Sequence, residues 1–200
     1  MHVLDYNAFR DRLLDAIEAE GFECSVDEVV FLNNASRGCD IFVYPDGEGG
    51  EVWGKVSFEW LPSNQALLDE FQQQDSEGDC DESAWASDPD AEVMMHVAFH
   101  LHFDSLPIAT EAVTEAAEEI KELGESFFGH DGGVVAEVSM TSADARLECL
   151  RYEADTSAPL ISDEEWWDDM AEVCRAMLDK LEKILARLRL EYGSSRGTEG

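Results

Sequence analysis

Basic residues are what this chain has least of. It holds 13 Lys and Arg against 46 Asp and Glu in 200 residues, for a formal net charge of −33, and its isoelectric point lies near 4.1. Only Lys55, Lys121, Lys180 and Lys183 are lysines. The shortage excludes nucleic acid and anionic membranes as direct ligands, because affinity for phosphate comes from Lys and Arg. Long hydrophobic runs are also missing, and none approaches the roughly 18 residues of a membrane span. The opening stretch MHVLDYNAFRDRLLDAIEAEG has neither a basic n-region nor an apolar h-region, so no secretory signal is expected. No CxxC occurs, and Cys24, Cys39, Cys80, Cys149 and Cys174 are odd in number and widely spaced. That usage predicts free thiols in a reducing cytoplasm rather than a disulfide frame. Cys149 and Cys174 lie in apolar patterns and are expected in the core, whereas Cys80 lies among acids and is expected at the surface.

What is present is an ordinary core. A hydrophobic fraction of 44% with 10% aromatics argues against general disorder. A chain of this length buries roughly 70% of its unfolded surface and needs no disulfide or metal to fold. The acid therefore covers a packed interior. Its self-repulsion must be offset by salt, by bound cations or by a cationic partner.

Tyr6, Phe9, Leu13, Ala16 and Ile17 share one helical face, and Gly21 ends that helix. Strands are predicted at 28–32, 40–44 and 51–60, the last two flanking the turn sequence Pro45-Asp46-Gly47-Glu48-Gly49-Gly50. A short helix over 63–72 follows. Residues 73–90, QQDSEGDCDESAWASDPD, are acidic and aperiodic, which predicts a long mobile loop. The clearest strand is 91–104. A helix over 108–123 comes next, with Gly124 as its C-cap, and then a hairpin of 132–140 with 145–152. Ser162 and Glu165 form a capping box that opens a long terminal helix. Along that helix Trp167, Met170, Cys174, Met177, Leu181, Ile184 and Leu188 recur every three or four residues. Acids crowd its first turns and Arg or Lys the remainder, in the order the helix dipole favours. The expected fold is α+β: one domain over 1–192, with an antiparallel sheet of about five to six strands, helices on one face and a long C-terminal helix. Residues 193–200 are expected to be a disordered tail.

Chemistry-bearing patterns are few. Gly49-x4-Gly54-Lys55 has the outline of a phosphate loop, but Val56 replaces the Ser or Thr and Lys55 falls on a strand. Asp75, Glu77, Asp79 and Asp81 alternate like calcium ligands, yet Gly78 is misplaced and no Glu closes the frame. His96, His100 and His102 share one strand face with Asp104, and side chains two apart on a strand are close enough to share a metal. These four are the candidate ligands for a divalent ion; the plainer reading is a polar sheet face. No general base or other cofactor signature accompanies them. Glu111, Glu115, Glu118, Glu122 and Glu125 line one helix face, opposite Ala112, Ala116, Ile120 and Leu123. That row reads either as a solvated face or as an anionic ridge for a cationic groove, with Trp53 and Trp85 as aromatic anchors. The apolar stripe of the terminal helix serves either the chain's own sheet or, over 181–190, a homodimer seam.

Three functions follow from these patterns. The leading expectation is a non-enzymatic acidic protein that engages a basic protein partner as an inhibitor, immunity protein, chaperone or nucleic-acid mimic. A second is a domain whose acidity is adaptation to high salt. The third is a metal-dependent enzyme centred on His96, His100 and His102.

Overall fold

The computed structural model describes residues 4–32, 35–77, 91–107, 110–140, 145–160 and 164–192. Cys80, Trp85, most of the expected acidic loop, Ser162 of the capping box and the 193–200 tail lie outside them. The elements run α1 (Tyr6–Ala19), β1 (Glu23–Phe31), β2 (Ser36–Tyr44), β3 (Val52–Trp60), α2 (Pro62–Glu77), β4 (Glu92–Pro107), α3 (Thr110–Phe128), a 3-10 turn (Gly129–Asp131), β5 (Gly132–Met140), β6 (Ala145–Pro159) and α4 (Glu164–Tyr192). The six strands form one antiparallel sheet in the order β1-β2-β3-β4-β6-β5. The α+β class and the long terminal helix are as expected.

Register alternates the two faces of the sheet. Ile41, Val56, Val97 and Ala154 lie opposite one another on successive strands, and all are buried beneath helices. One residue along, Asp40, Ser57, His96 and Asp155 form a row on the uncovered face. α1 starts from Asp5, whose carboxylate accepts the backbone N–H of Ala8 at 2.8 Å, and it stops before Gly21 at φ 92°. Phe9 of α1 meets Trp167 of α4 edge-on at 5.0 Å between ring centroids. The repeated apolar positions of α4 from Trp167 to Leu188 are each 5% exposed or less, while Leu190 is 80% exposed. A fully buried side chain of this kind contributes about 1.5–3 kcal/mol. The stripe is thus spent on the chain's own core, the first of its two readings, and within the alternative 181–190 seam Leu190 is the large apolar side chain left exposed.

Several boundaries move. β1 begins at Glu23 rather than 28. α2 continues to Glu77, so 73–77 are helical and not loop; Gln72, Gln73 and Gln74 are good helix formers that carry the turn onward. β4 runs to Pro107 through a register shift between His102 and Leu106. Gly124 is not a cap but an interior residue of α3. A Cβ there would overlap the ring of Tyr152, so glycine lets the helix approach β6 closely. The left-handed residue that ends the helix is Gly129, at φ 66°.

Candidate functional site on the open sheet face

Most of the cations among the described residues are engaged within the fold. Arg10, Lys55, Lys121, Arg151, Arg175, Lys180, Arg187 and Arg189, eight of the 13, pair with carboxylates. Arg37 lies over the Tyr6 ring at 5.2 Å. Glu28 takes Arg10 at 2.6 Å and the Tyr6 hydroxyl at 3.0 Å on the same oxygen, and these two donors hold its carboxyl below the usual range. Because so much of the basic complement is consumed internally, the excess negative charge faces outward.

Along α3, Glu111, Glu115, Glu118 and Glu122 are exposed as a row and Glu125 is half-buried. Lys121 and His130 reach Glu125 at 3.5 and 3.4 Å, and the His130 contact is the main reason its carboxyl titrates lower. Glu119 departs from this pattern. It turns toward α4, where Lys180 and Arg187 grip it; burial opposes its charge, but the two cations prevail and hold the carboxyl low. Glu119 does not stand out from the other acids of α3 in the sequence. The signal available was Lys180 and Arg187, seven residues apart on one face of a neighbouring helix.

β1 is an edge strand, and among the described residues nothing pairs with its outer side. Val29, Val30, Phe31 and Leu32 are 50%, 61%, 46% and 89% exposed in succession. Glu23, Asp27 and Glu28 share the strand, and Asp27 stands directly across from Asp40, a like-charge pair. Phe31 folds over Gly38, whose missing Cβ would sit 3.0 Å from the ring edge. Between Phe31 and the half-exposed Met94 runs a groove of about 370 Å³, carrying Asp40, Glu59 and Asp155 with Gly38. Apolar walls with carboxylates between them suit the methylene stem and charged head of Lys or Arg.

The histidines divide. His96 Nδ1 lies 2.9 Å from an Asp155 oxygen and belongs to that polar row. His100 is 8% exposed, with the Trp53 indole stacked on it at 3.7 Å and 5°. Burial, then the charges of Arg151 and His102, push His100 down to about 3, so its imidazole is neutral across the physiological range. His102 is exposed and parallel to His100 at 5.9 Å between centroids. The third member of this group is Cys149 of β6, the register partner of His102, with its sulfur 4.0 Å from His102 Nε2. Donor atoms of His100, His102 and Cys149 all lie within 4.8 Å of one another. The structure therefore brings together two of the four expected ligands, adds a cysteine, and leaves His96 outside the group. Asp104 continues β4 within the register shift, and its side chain is outside the described set. Trp53 has its ring face committed to His100, and Trp85 lies outside the described residues.

Lys55 stays on β3, with Nζ 3.5 Å from Asp40, as a strand residue and not as a phosphate clamp. No protein-family model, curated protein or solved structure matches this chain.

Proposed function

We propose that this protein is a non-enzymatic, acidic binding protein that accepts an extended segment of a basic protein partner along the free edge of β1. One observation carries the reading: four consecutive exposed apolar residues, 29–32, run along and just past the end of an unpaired edge strand that also carries Glu23, Asp27 and Glu28. A naked hydrophobic edge invites strand pairing, and edges not meant for pairing are usually blunted by Lys, Pro or a covering element. In strand addition the backbone supplies affinity and alternate side chains supply specificity. Basic side chains of the incoming strand would seat in the groove between Phe31 and Met94, while the Glu111 to Glu125 ridge raises the encounter rate. Inhibitor, immunity protein, chaperone and nucleic-acid mimic are roles such a surface suits. Nucleic acid and membrane surfaces are not proposed ligands, and no described helix is long and apolar enough to cross a membrane. The free thiols of Cys24, Cys39, Cys149 and Cys174 support the cytoplasm as its compartment.

A fluorescent peptide of alternating Lys and Val tests the proposal by titration. Binding should weaken by more than about tenfold between low and half-molar salt, because exposed charges are screened beyond roughly 8 Å at physiological ionic strength. Phe31→Ala and Glu59→Gln should each weaken it further. Salt-insensitive binding, or binding indifferent to both substitutions, would overturn this docking mode.

A further inference from the structure

We infer that His100, His102 and Cys149 form a three-ligand site for a borderline transition-metal ion, zinc(II) being the natural occupant, with its fourth position open to solvent. The inference stands apart from the partner reading and rests on different residues. β4 contributes two imidazoles from alternate positions on one sheet face, and β6 contributes a thiol from the position paired with His102. Zn–S near 2.3 Å and Zn–N near 2.0–2.1 Å in a tetrahedron place donors about 3.3–3.6 Å apart. The observed sulfur–nitrogen distance of 4.0 Å and the 4.8 Å limit over all three atoms are within reach of small side-chain rotations. The donor chemistry is selective: imidazole and thiolate favour zinc, copper(I) and cobalt(II) over calcium or magnesium, which take oxygen.

The surroundings hold the set in place. Stacking on Trp53 fixes the His100 ring, and both His100 and Cys149 are buried while His102 is exposed. An ion would thus be anchored on its inner side and reached from solvent past His102. Arg151, the register partner of His100, opposes a bound cation, but its guanidinium is already engaged by Glu153 at 2.8 Å and Glu137 at 3.9 Å. Binding replaces the Cys149 S–H proton by a metal–sulfur bond and releases that proton to solvent, without oxidation or reduction.

Cobalt(II) is the probe, because tetrahedral thiolate coordination gives intense visible d–d bands and a near-ultraviolet sulfur-to-cobalt charge-transfer band. Chelator-treated protein titrated with cobalt(II) should develop both bands to a stoichiometric end point, and zinc(II) should bleach them. Cys149→Ser should abolish the charge-transfer band. His102→Gln, at an exposed position, should leave the circular dichroism spectrum unchanged and weaken cobalt affinity by at least about tenfold, the loss typical of disturbed metal sites. His96→Gln should change neither. Weak octahedral binding without charge transfer would mean that the acidic surface, not this site, holds the ion. That result, a band retained in Cys149→Ser, or equal losses in His96→Gln and His102→Gln would overturn the inference.

Discussion

Tyr152 and Gly124 illustrate how a single missing side chain can set the distance between a helix and a sheet. Tyr152 is fully buried on the covered face of β6, and its ring fills the space where a Cβ at 124 would stand. Gly132, at the start of β5, leaves room for the same phenol from the other side. Glycine inside a helix costs about 0.5–1 kcal/mol relative to alanine, so Gly124→Ala would stabilise α3 taken alone. Here overpacking against a rigid aromatic ring, typically about 1–3 kcal/mol, opposes that gain and is larger. Gly124→Ala is therefore expected to lower the melting temperature, and adding Tyr152→Leu should recover part of the helix gain by vacating the ring. A higher melting temperature for Gly124→Ala alone would show that α3 can lift from β6 without cost.

At the scale of elements, legibility followed how local the signal was. α4 could be read directly, since both its three-and-four spacing and its charge order lie within one helix. The β4 alternation was equally plain, with Val93, Met95, Val97, Phe99 and Leu101 buried on one side. The first half of β1, Glu23 to Asp27, does alternate, with Cys24 and Val26 packed against the core between Glu23, Ser25 and Asp27. The repeat is short and runs directly on from the glycine that ends α1, so it is weakly marked in the sequence. The extent of α3 is ambiguous in the sequence because glycine is enriched both at helix ends and at close contacts, and only the Tyr152 ring distinguishes them. At the candidate site the His-x-His pair was visible from its spacing alone. Cys149 was not, because it arrives 47 residues later through strand pairing, and its neighbours Leu147 and Leu150 make it read as core. The use of α4 gives a direct test. Leu181→Ala should cost about 2–5 kcal/mol of stability at any protein concentration, as a buried leucine does. Leu190→Lys, at an exposed position, should fall within about 0.5 kcal/mol of wild type. Were Leu190→Lys to lower the melting temperature in a concentration-dependent way, the distal helix would be a subunit interface after all.

The whole molecule is governed by its charge. A net −33 on 200 residues destabilises the compact state by self-repulsion, while the internal pairs that consume most of the cations recover only a little, since exposed pairs are worth about 0–1 kcal/mol each. Salt weakens both terms, and their balance sets the sign of its effect. Repulsion sums over many acids at medium range, where the Debye length falls from roughly 30 Å at 0.01 M to 10 Å at 0.1 M and 3 Å at 1 M. The pairs act at contact and are few, so relief of repulsion wins. Stability is expected to rise with added salt and to level off by about 0.5 M, where the screening length has dropped below the spacing of most surface charges. The core argues that folding does not wait for that help. Forty-two apolar side chains among the described residues are buried, and their burial does not depend on ionic strength at these concentrations. The protein should therefore already show a cooperative melting transition near 0.1 M monovalent salt. Melting curves across this range decide between the two meanings of the acidity. A binder held ready for a cationic partner folds at ordinary ionic strength and gains a few degrees on screening. A chain that stays unfolded until salt reaches molar concentrations would be adapted to its solvent, and the partner reading would fall with it.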